Sequence, residues 1–580
     1  MAALGRVGHY RGEMTSYVLV VAVLAAIGGL LFGFDVGIVG GVEAMYEFQE
    51  LFFPDILERT TTSAQDSDPW CVYNNHSLQL FSSCMFLAGA FAAIPAGHIT
   101  RVLGRKGGNY PPYPSIPAGP ITRVLGRKVT MVLAAILFLV GAGIQAGAVS
   151  VAMLVLGRVV LGFGVGSASQ VVPMYISEAA PYRSRGALAT LFQLSITVGI
   201  VVAQLINYGN QYVPWGWRLS LGLAGLPATL LLVGGLLLPE SPNSLIERGQ
   251  NKEGRRVLER LRGTKEVDAE YADICEAAEL ARRVSSAQSV RLFLPPWSTA
   301  AGLQCDCSRP SAPDALAGVP GKYASWANLL KRQYLPMTIV TVCTSSFQQL
   351  AGINSIMSAS LLKAIVVGGV NVLATFVTVW AVDRMGRKPL LVQGGIQMML
   401  ALTGVAACLG VGLHEYSTIS KPAAILTLVF ICIYVAGFAW SWGPLAWVVG
   451  SEVHVMETRA TGASLAVFFN FLFSFVVGQS FLACLCGMKW GVFIFFAGWV
   501  VLMTIFVIFF VPEMMGAPIE DHMSLFAQHW FWKRVMGDAA DDVLQKESFR
   551  KAAFEQAERD HGDLRLVAAY YKALGLTGPD

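Results

Sequence analysis

Charge is what this sequence has least of. Of its 580 residues, 42 are basic and 38 acidic, so 14% are charged, against roughly 25% in soluble domains. Apolar residues make up 54%, and the mean hydropathy is positive. A soluble chain could not hide that much apolar surface, which argues against a soluble enzyme, a disordered scaffold and a nucleic-acid binder. An excess of one sign is also missing: the net charge of +4 is spread over 580 residues, too dilute to attract a polyanion. Ten cysteines are too few for a disulfide-dense secreted fold. The eight histidines form no metal-spaced pair, and no nucleophile–base constellation stands out. No cofactor or metal is expected, and no enzyme.

Apolar runs long enough to cross ~30 Å of hydrocarbon recur throughout. Twelve spans are predicted, at about 17–42, 78–97, 129–149, 151–175, 187–208, 217–238, 334–357, 361–382, 388–412, 422–449, 459–486 and 489–511. The first is too long to be a cleaved signal peptide. Loops after spans 2, 4, 8 and 10 hold twelve basic residues, and segments on the other side hold five, so both termini are expected in the cytoplasm. The first outer loop, 43–77, carries seven acids and one arginine, which suits an extracellular lid.

The halves repeat each other. Gly126-Arg127-Lys128 follows span 2, and Gly386-Arg387-Lys388 follows span 8. Glu178 with Arg185 after span 4 is echoed by Glu452 with Arg459 after span 10. Pro239-Glu240 closes span 6 and Pro512-Glu513 closes span 12; the last two pairs are offset by 274 and 273 residues. The expected fold is an all-α membrane protein of twelve transmembrane helices in two six-helix pseudo-repeats, the plan of major facilitator transporters with a site between the halves. The expected division is a cytoplasmic N-terminus 1–16, an N-terminal half 17–238, a cytoplasmic helical linker 239–333, a C-terminal half 334–511 and a cytoplasmic tail 512–580.

Asp35 lies inside span 1, where an ionisable residue is costly enough to be a functional candidate by default. Arg158 in span 4 falls at the same depth, ~10 Å below the outer edge at 1.5 Å per residue. An ion pair is therefore open. A guanidinium favours the charged carboxyl, burial favours the neutral one, and protonation would release the arginine. A permanent structural pair is the other reading. Amides that both donate and accept, together with an aromatic face, suit a polar uncharged solute. Gln193, Gln348, Gln349, Asn354, Asn371, Trp447 and Asn470 are the candidates within spans. For any one amide the alternative is an interhelical hydrogen bond.

Gly28-Gly-Leu-Leu-Phe-Gly-Phe-Asp35, the two Gly-Arg-Lys loops, Gly157-Arg158, Pro239-Glu-Ser-Pro242, Gln348-Gln-Leu-Ala-Gly-Ile-Asn354 and Trp442-Gly-Pro-Leu-Ala-Trp447 resemble the sugar porter family, over nearly all of 17–520. Within it the likeness is to plant and green-algal monosaccharide–proton symporters. The resemblance implies proton-coupled monosaccharide import by a monomer in the plasma membrane, with sugar, proton and lipid bilayer as its partners. It implies that Asp35 and Arg158 form the proton switch and that the seven amide and tryptophan positions contact sugar. It makes Arg127, Lys128, Glu178, Arg183, Arg185, Glu240, Arg387, Lys388, Glu452, Arg459 and Glu513 a cytoplasmic charge network latching the outward-open state. It also implies a disulfide between Cys71 and Cys486, tying the lid to the C-terminal half.

The chain departs from the family in three places. Ala96 to Lys106 recurs at Ala118 to Lys128 with ten of eleven residues identical, where the family has one copy; a recent duplication or a faulty gene model would account for it, making 98–128 a duplicated cytoplasmic loop. Residues 291–322 form a Pro-, Ser- and Gly-rich insertion whose Cys305 and Cys307 alone do not make a metal site. Span 7 is cut short near 357, where the family continues into an outer-gate half-helix. Asn243 stands where the family has Arg, and Met514-Met515 replace its Thr-Lys. Alternatives on the same scaffold are an uncoupled facilitator, which would lack an acid at Asp35, a sugar sensor, and a transport-defective product. Gly162-x-Gly164-x-Gly166 and Gly141-x-Gly143 are expected to be helix-packing sites, Trp215 and Trp217 interfacial anchors, and Asn75-His-Ser77 a glycosylation sequon.

Overall fold

The computed structural model describes residues 14–62, 70–71, 75–93, 126–268, 270–279, 324–356, 361–412, 420–515, 522–545 and 547–548. The first copy of the duplication, 96–106, residues 118–125 of the second, the insertion 291–322 and both extreme termini lie outside them.

Eleven helices among the described residues are long and apolar enough to cross a membrane. In the first half these are span 1 (Ser16–Val42), span 2 (His76–Ala93), span 3 (Arg127–Ala146), span 4 (Val151–Ala179), span 5 (Tyr182–Asn210) and span 6 (Gly216–Leu237). In the second they are span 8 (Ala364–Met385), span 9 (Arg387–Val411), span 10 (Lys421–Glu452), span 11 (Thr458–Met488) and span 12 (Gly491–Phe510). Span 7 is the twelfth predicted segment, and it does not meet the length. Its helix Leu335–Leu350 has 16 residues, ~24 Å at 1.5 Å each. Gly352 then turns the chain at φ +80°, and the four-residue turn Ile353–Ile356 is the last described part of the segment.

Helix ends are set by local chemistry. The Thr15, Ser150 and Ser420 side chains accept backbone N–H groups of spans 1, 4 and 10, satisfying donors a helix start leaves open. Before spans 3 and 9 stand Gly126 and Gly386, at φ +89° and +91°, a region glycine occupies without penalty. At Gly386 a Cβ would sit 2.8 Å from Glu513 Oε2, and at Gly126 it would strike Glu240. The same turn therefore does the same work in both halves.

Span 1 packs on span 5 through glycines four residues apart, at 29, 33, 37 and 41. Cβ atoms there would strike Phe192 O, Ile196 O, Ile200 O and the Asn207 side chain in turn, at 2.7 Å for Gly37. Small residues at this spacing let backbones approach closely. Gly33→Val is expected to cost at least ~1–3 kcal/mol by overpacking, read as a fall in thermal stability and surface expression. Gly40→Val, where nothing lies within 4 Å of the added atom, should leave both unchanged.

Gly162 and Gly166 face span 2, at Met85 and Gly89, while Gly164 faces Ala134 and Phe138 of span 3. Gly141 packs on Leu161, but Gly143 has nothing within 4 Å and is not a packing site. The linker forms the helices Pro242–Glu247 and Asn251–Arg262 and a helical stretch at 270–279. Arg262 bolts it to the end of span 4, donating to Ala179 O at 2.8 Å and to both oxygens of Glu270.

Candidate functional site

Asp35 and Arg158 meet, with Arg158 Nη1 2.5 Å from Asp35 Oδ2. Both are buried. Phe81 of span 2 lies under the guanidinium, 4.8 Å from ring centroid to Cζ. Above Phe81 is an aromatic cluster: Phe48, on the lid helix Tyr46–Phe52, contacts Phe52, Phe53, Phe81 and Trp217 with centroids 5.1–5.8 Å apart. The lid helix thus covers the pair. Trp217 belongs to this roof rather than to an interfacial belt: it is 3% exposed against 59% for Trp215. Its apolar lid partners Phe48 and Phe52 outcompete the interface for the ring. Cys71 and Cys486 are joined in a disulfide with Cα atoms 4.8 Å apart, binding the lid to span 11.

Four of the candidate amides form one chain. Asn470 Nδ2 donates to Gln348 Oε1 at 2.5 Å, and Gln349 Nε2 donates to Asn470 Oδ1 at 3.1 Å. Asn354 Nδ2 donates to Gln349 Oε1 at 3.0 Å. Gln348 Nε2 in turn donates to Gly443 O at 2.6 Å, where span 10 breaks into Lys421–Ala439 and Trp442–Glu452. Trp447 lies below that break, edge-to-face with Phe192 at 5.2 Å and with Phe32 at 6.4 Å. Gln193, beside Phe192 on span 5, is buried and makes no hydrogen bond among the described residues. Asn371 is buried on span 8. Neither joins the amide chain.

Trp447 and Asn470, with Gln170 and Ser345, line a cavity of about 20 Å³ between the halves, room for about one water molecule. The halves touch on both sides of it. At the lid end Ser83 of span 2 donates to Gln479 of span 11 at 2.9 Å, and at the other end Ala187 N of span 5 donates to Asp383 of span 8 at 2.8 Å. A groove of about 870 Å³ lies outside the bundle, lined by apolar residues of spans 9 and 10 such as Val392, Ile396, Leu400 and Phe430. It is remote from these amides.

The loop charges assemble into two similar clusters. In the first half Arg127 pairs with Glu178 at 2.9 Å and Glu247 at 3.0 Å, while Glu240 accepts Arg127 N at 2.8 Å. In the second Arg387 pairs with Glu452 at 3.4 Å and Asp383 at 3.3 Å, and Glu513 accepts Arg387 N at 3.1 Å. Lys128 and Lys388 each donate to a carbonyl near the end of the half's last span, Leu236 O and Ile508 O, both at 2.8 Å. Arg183 stands apart, donating to the neighbouring Tyr182 hydroxyl. Arg459 Nε donates to His454 O at 3.4 Å. Arg185 makes no ion pair among the described residues; its charge faces His522 of the tail helix His522–Gln528, whose Nδ1 lies 2.8 Å from Glu452 O. Burial pushes His522 down to about 4, so it sits neutral among the arginines.

Asp383 is the network residue that motif matching misses. It joins the Arg387 cluster to the first half, and its signal in the sequence is an acid four residues before the arginine of the Gly-Arg-Lys loop.

Over residues 21–109, 114–305 and 315–526 the chain matches the profile of the family described as "Sugar (and other) transporter". The H(+)/hexose cotransporter 2 of Parachlorella kessleri is 48% identical over 560 residues, covering 94% of this chain and 93% of that protein. Sugar transport protein 7 of Arabidopsis thaliana is 41% identical over 558 residues, covering 94% and 96%. Among solved structures, the proton:xylose symporter XylE of the major facilitator superfamily, bound to 6-bromo-6-deoxy-D-glucose, matches with a TM-score of 0.66 at 23% identity, over 88% of this chain and all of that one. An inward-open form of XylE from E. coli matches at 0.58, with 22% identity and coverages of 88% and 100%.

Proposed function

The chain belongs to the family of sugar (and other) transporters, with the two-half major facilitator fold, and from that premise we propose that it imports a hexose together with a proton by alternating access. The observation that carries the coupling is the buried Asp35–Arg158 pair. A sealed acid with one cationic partner exists in two charge states that the membrane interior separates sharply. When Asp35 is ionised it holds spans 1 and 4 together; when it is protonated that tie is lost. Either state can be coupled to the spacing of the spans.

The hexose binds between the halves. Gln348, Gln349, Asn354 and Asn470 present a pre-ordered row of amides, Gln193 and Asn371 add buried amides on spans 5 and 8, and Trp447 supplies the apolar face. A cavity of about 20 Å³ is too small for a sugar ring, so the halves must part to load it. The contacts to be broken are Ser83–Gln479 at one end and Ala187–Asp383 at the other. The clusters centred on Arg127 and Arg387 stiffen the cytoplasmic ends, and Asp383 makes one of them a latch. The protein works as a monomer in the plasma membrane with both termini in the cytoplasm.

The test is uptake of labelled glucose in cells lacking their own hexose carriers, at acid and neutral pH, with and without a protonophore. Accumulation above the outside concentration that a protonophore collapses is the expected result. Uptake that only equilibrates would make the chain a facilitator. Absence of uptake at normal surface expression, with rescue by an extended span 7, would locate the fault in the short helix.

A further inference from the structure

The proton switch is short of acceptors on one side and short of a cation on the other. Arg158 is buried, and its Nε and Nη2 have no acceptor among the described residues; Nη1 alone reaches a carboxylate, that of Asp35. Glu43 follows the last residue of span 1, eight residues and therefore ~12 Å outward of Asp35 on the same helix axis. It makes no ion pair among the described residues; the Ser82 hydroxyl of span 2 donates to its Oε1. Ser82 is the residue next to Phe81, whose ring lies against the Arg158 guanidinium.

Resting on the reading of Asp35 as the proton-binding group, we infer that Glu43 is the second acceptor of Arg158, taking over the guanidinium when Asp35 is protonated and so setting the proton affinity of transport. Before the exchange one proton sits on Glu43 and Asp35 is ionised against Arg158. Afterwards the O–H bond is on Asp35, and ionised Glu43 faces Arg158. The three groups sum to zero charge in both arrangements, so no buried charge is left uncompensated.

The groups around Glu43 fit that role. From span 4 comes Arg158, among the described residues the one basic group whose charge acts on it. From span 2 comes the neutral Ser82 hydroxyl. From the lid, Gln49 Nε2 donates to the Glu43 backbone carbonyl at 2.7 Å and so does not engage the carboxylate. On its own helix the nearest acid inward is Asp35, and the Cys84 thiol of span 2 lies in the field of Asp35 and Arg158 rather than of Glu43. An edge of Glu43 reaches the surface, yet the protein packed around its carboxyl pushes it up to about 7, against the opposing pulls of Ser82 and Arg158. Glu43 is therefore poised to change charge near neutral pH.

The experiment measures initial hexose uptake against external pH for the wild type, Glu43→Gln, Glu43→Asp and Asp35→Asn, each corrected for surface expression. Without Glu43, protonating Asp35 strands the Arg158 charge. Glu43→Gln should therefore move the midpoint of proton activation toward acid by about one pH unit, a tenfold higher proton requirement. Glu43→Asp, with its carboxylate drawn back one methylene, should shift it the same way but less, and serves where the glutamine variant fails to reach the surface. An unmoved midpoint in the glutamine variant, or in the aspartate variant when that is the one expressed, overturns the proposal. If Asp35→Asn still concentrates sugar, the reading of Asp35 falls and takes Glu43 with it. If Asp35→Asn loses accumulation while the Glu43 midpoint stays in place, only the role of Glu43 is lost.

Discussion

Asp35→Asn is expected to abolish protonophore-sensitive accumulation, bringing the ratio of inside to outside sugar to about one, while sugar exchange across the membrane continues. The asparagine keeps the size of the side chain and an oxygen for Arg158 Nη1, which lies 2.5 Å from the native carboxylate, but it cannot carry the charge or the proton. Removing one partner of a buried ion pair costs about 3–5 kcal/mol when the other charge is left uncompensated. Part of that will show as reduced surface expression, so uptake has to be expressed per molecule at the surface. Exchange separates the two effects. It requires a folded protein, a sugar site and moving halves, but no net proton. A variant that neither accumulates nor exchanges has lost its fold; one that exchanges without accumulating has lost its coupling. A variant that still concentrates sugar and collapses with protonophore would remove Asp35 from the proton path.

The spans and the ion pair of the first half are legible in the sequence because both rest on one-dimensional rules. Length and hydropathy place helices, and depth along a helix follows from residue counting, which alone puts Asp35 and Arg158 level. The repeated Gly-Arg-Lys turns are legible for a similar reason, since the same loop chemistry recurs at matching points of two halves. What depends on which face of a helix meets which neighbour is not legible. The glycines at 29, 33, 37 and 41 sit in an apolar run where nothing in the one-dimensional pattern names span 5 as their partner. Trp217 and Trp215 are two residues apart and look alike as anchors, yet one roofs the Asp35–Arg158 pair and the other faces outward. Grouping the network by family motif also brings in Arg183, which the fold points elsewhere, and leaves out Asp383, which the fold makes a bridge. Among the described residues, span 7 has a sixteen-residue helix and a short turn, where the other spans have eighteen or more.

Asn470→Leu is expected to weaken apparent hexose affinity by about thirtyfold or more, with little change in protonophore sensitivity at saturating sugar. The substitution is close in shape, so its effect comes from hydrogen bonds rather than volume. Asn470 donates to Gln348 Oε1 at 2.5 Å and to Ser345 O at 3.4 Å, and it accepts from Gln349 Nε2 at 3.1 Å. Leucine leaves Gln348 Oε1 and Gln349 Nε2 only their long 3.4 Å bond to each other, at a cost of about 1–3 kcal/mol, and frees both to leave the orientation that holds the row of amides. A loss of ~2 kcal/mol in sugar binding corresponds to about thirtyfold in affinity. The measurement is the concentration dependence of uptake, or ligand-induced fluorescence of purified protein, since Trp447 lines the same cavity. Comparison with Gln193→Leu distinguishes a sugar contact from a support for one. Gln193 makes no bond among the described residues, so its loss should weaken affinity without the fall in thermal stability that Asn470→Leu brings. If Asn470→Leu lowers thermal stability but leaves affinity where it was, the amide chain is only an interhelical clasp, and the hexose lies elsewhere between the halves.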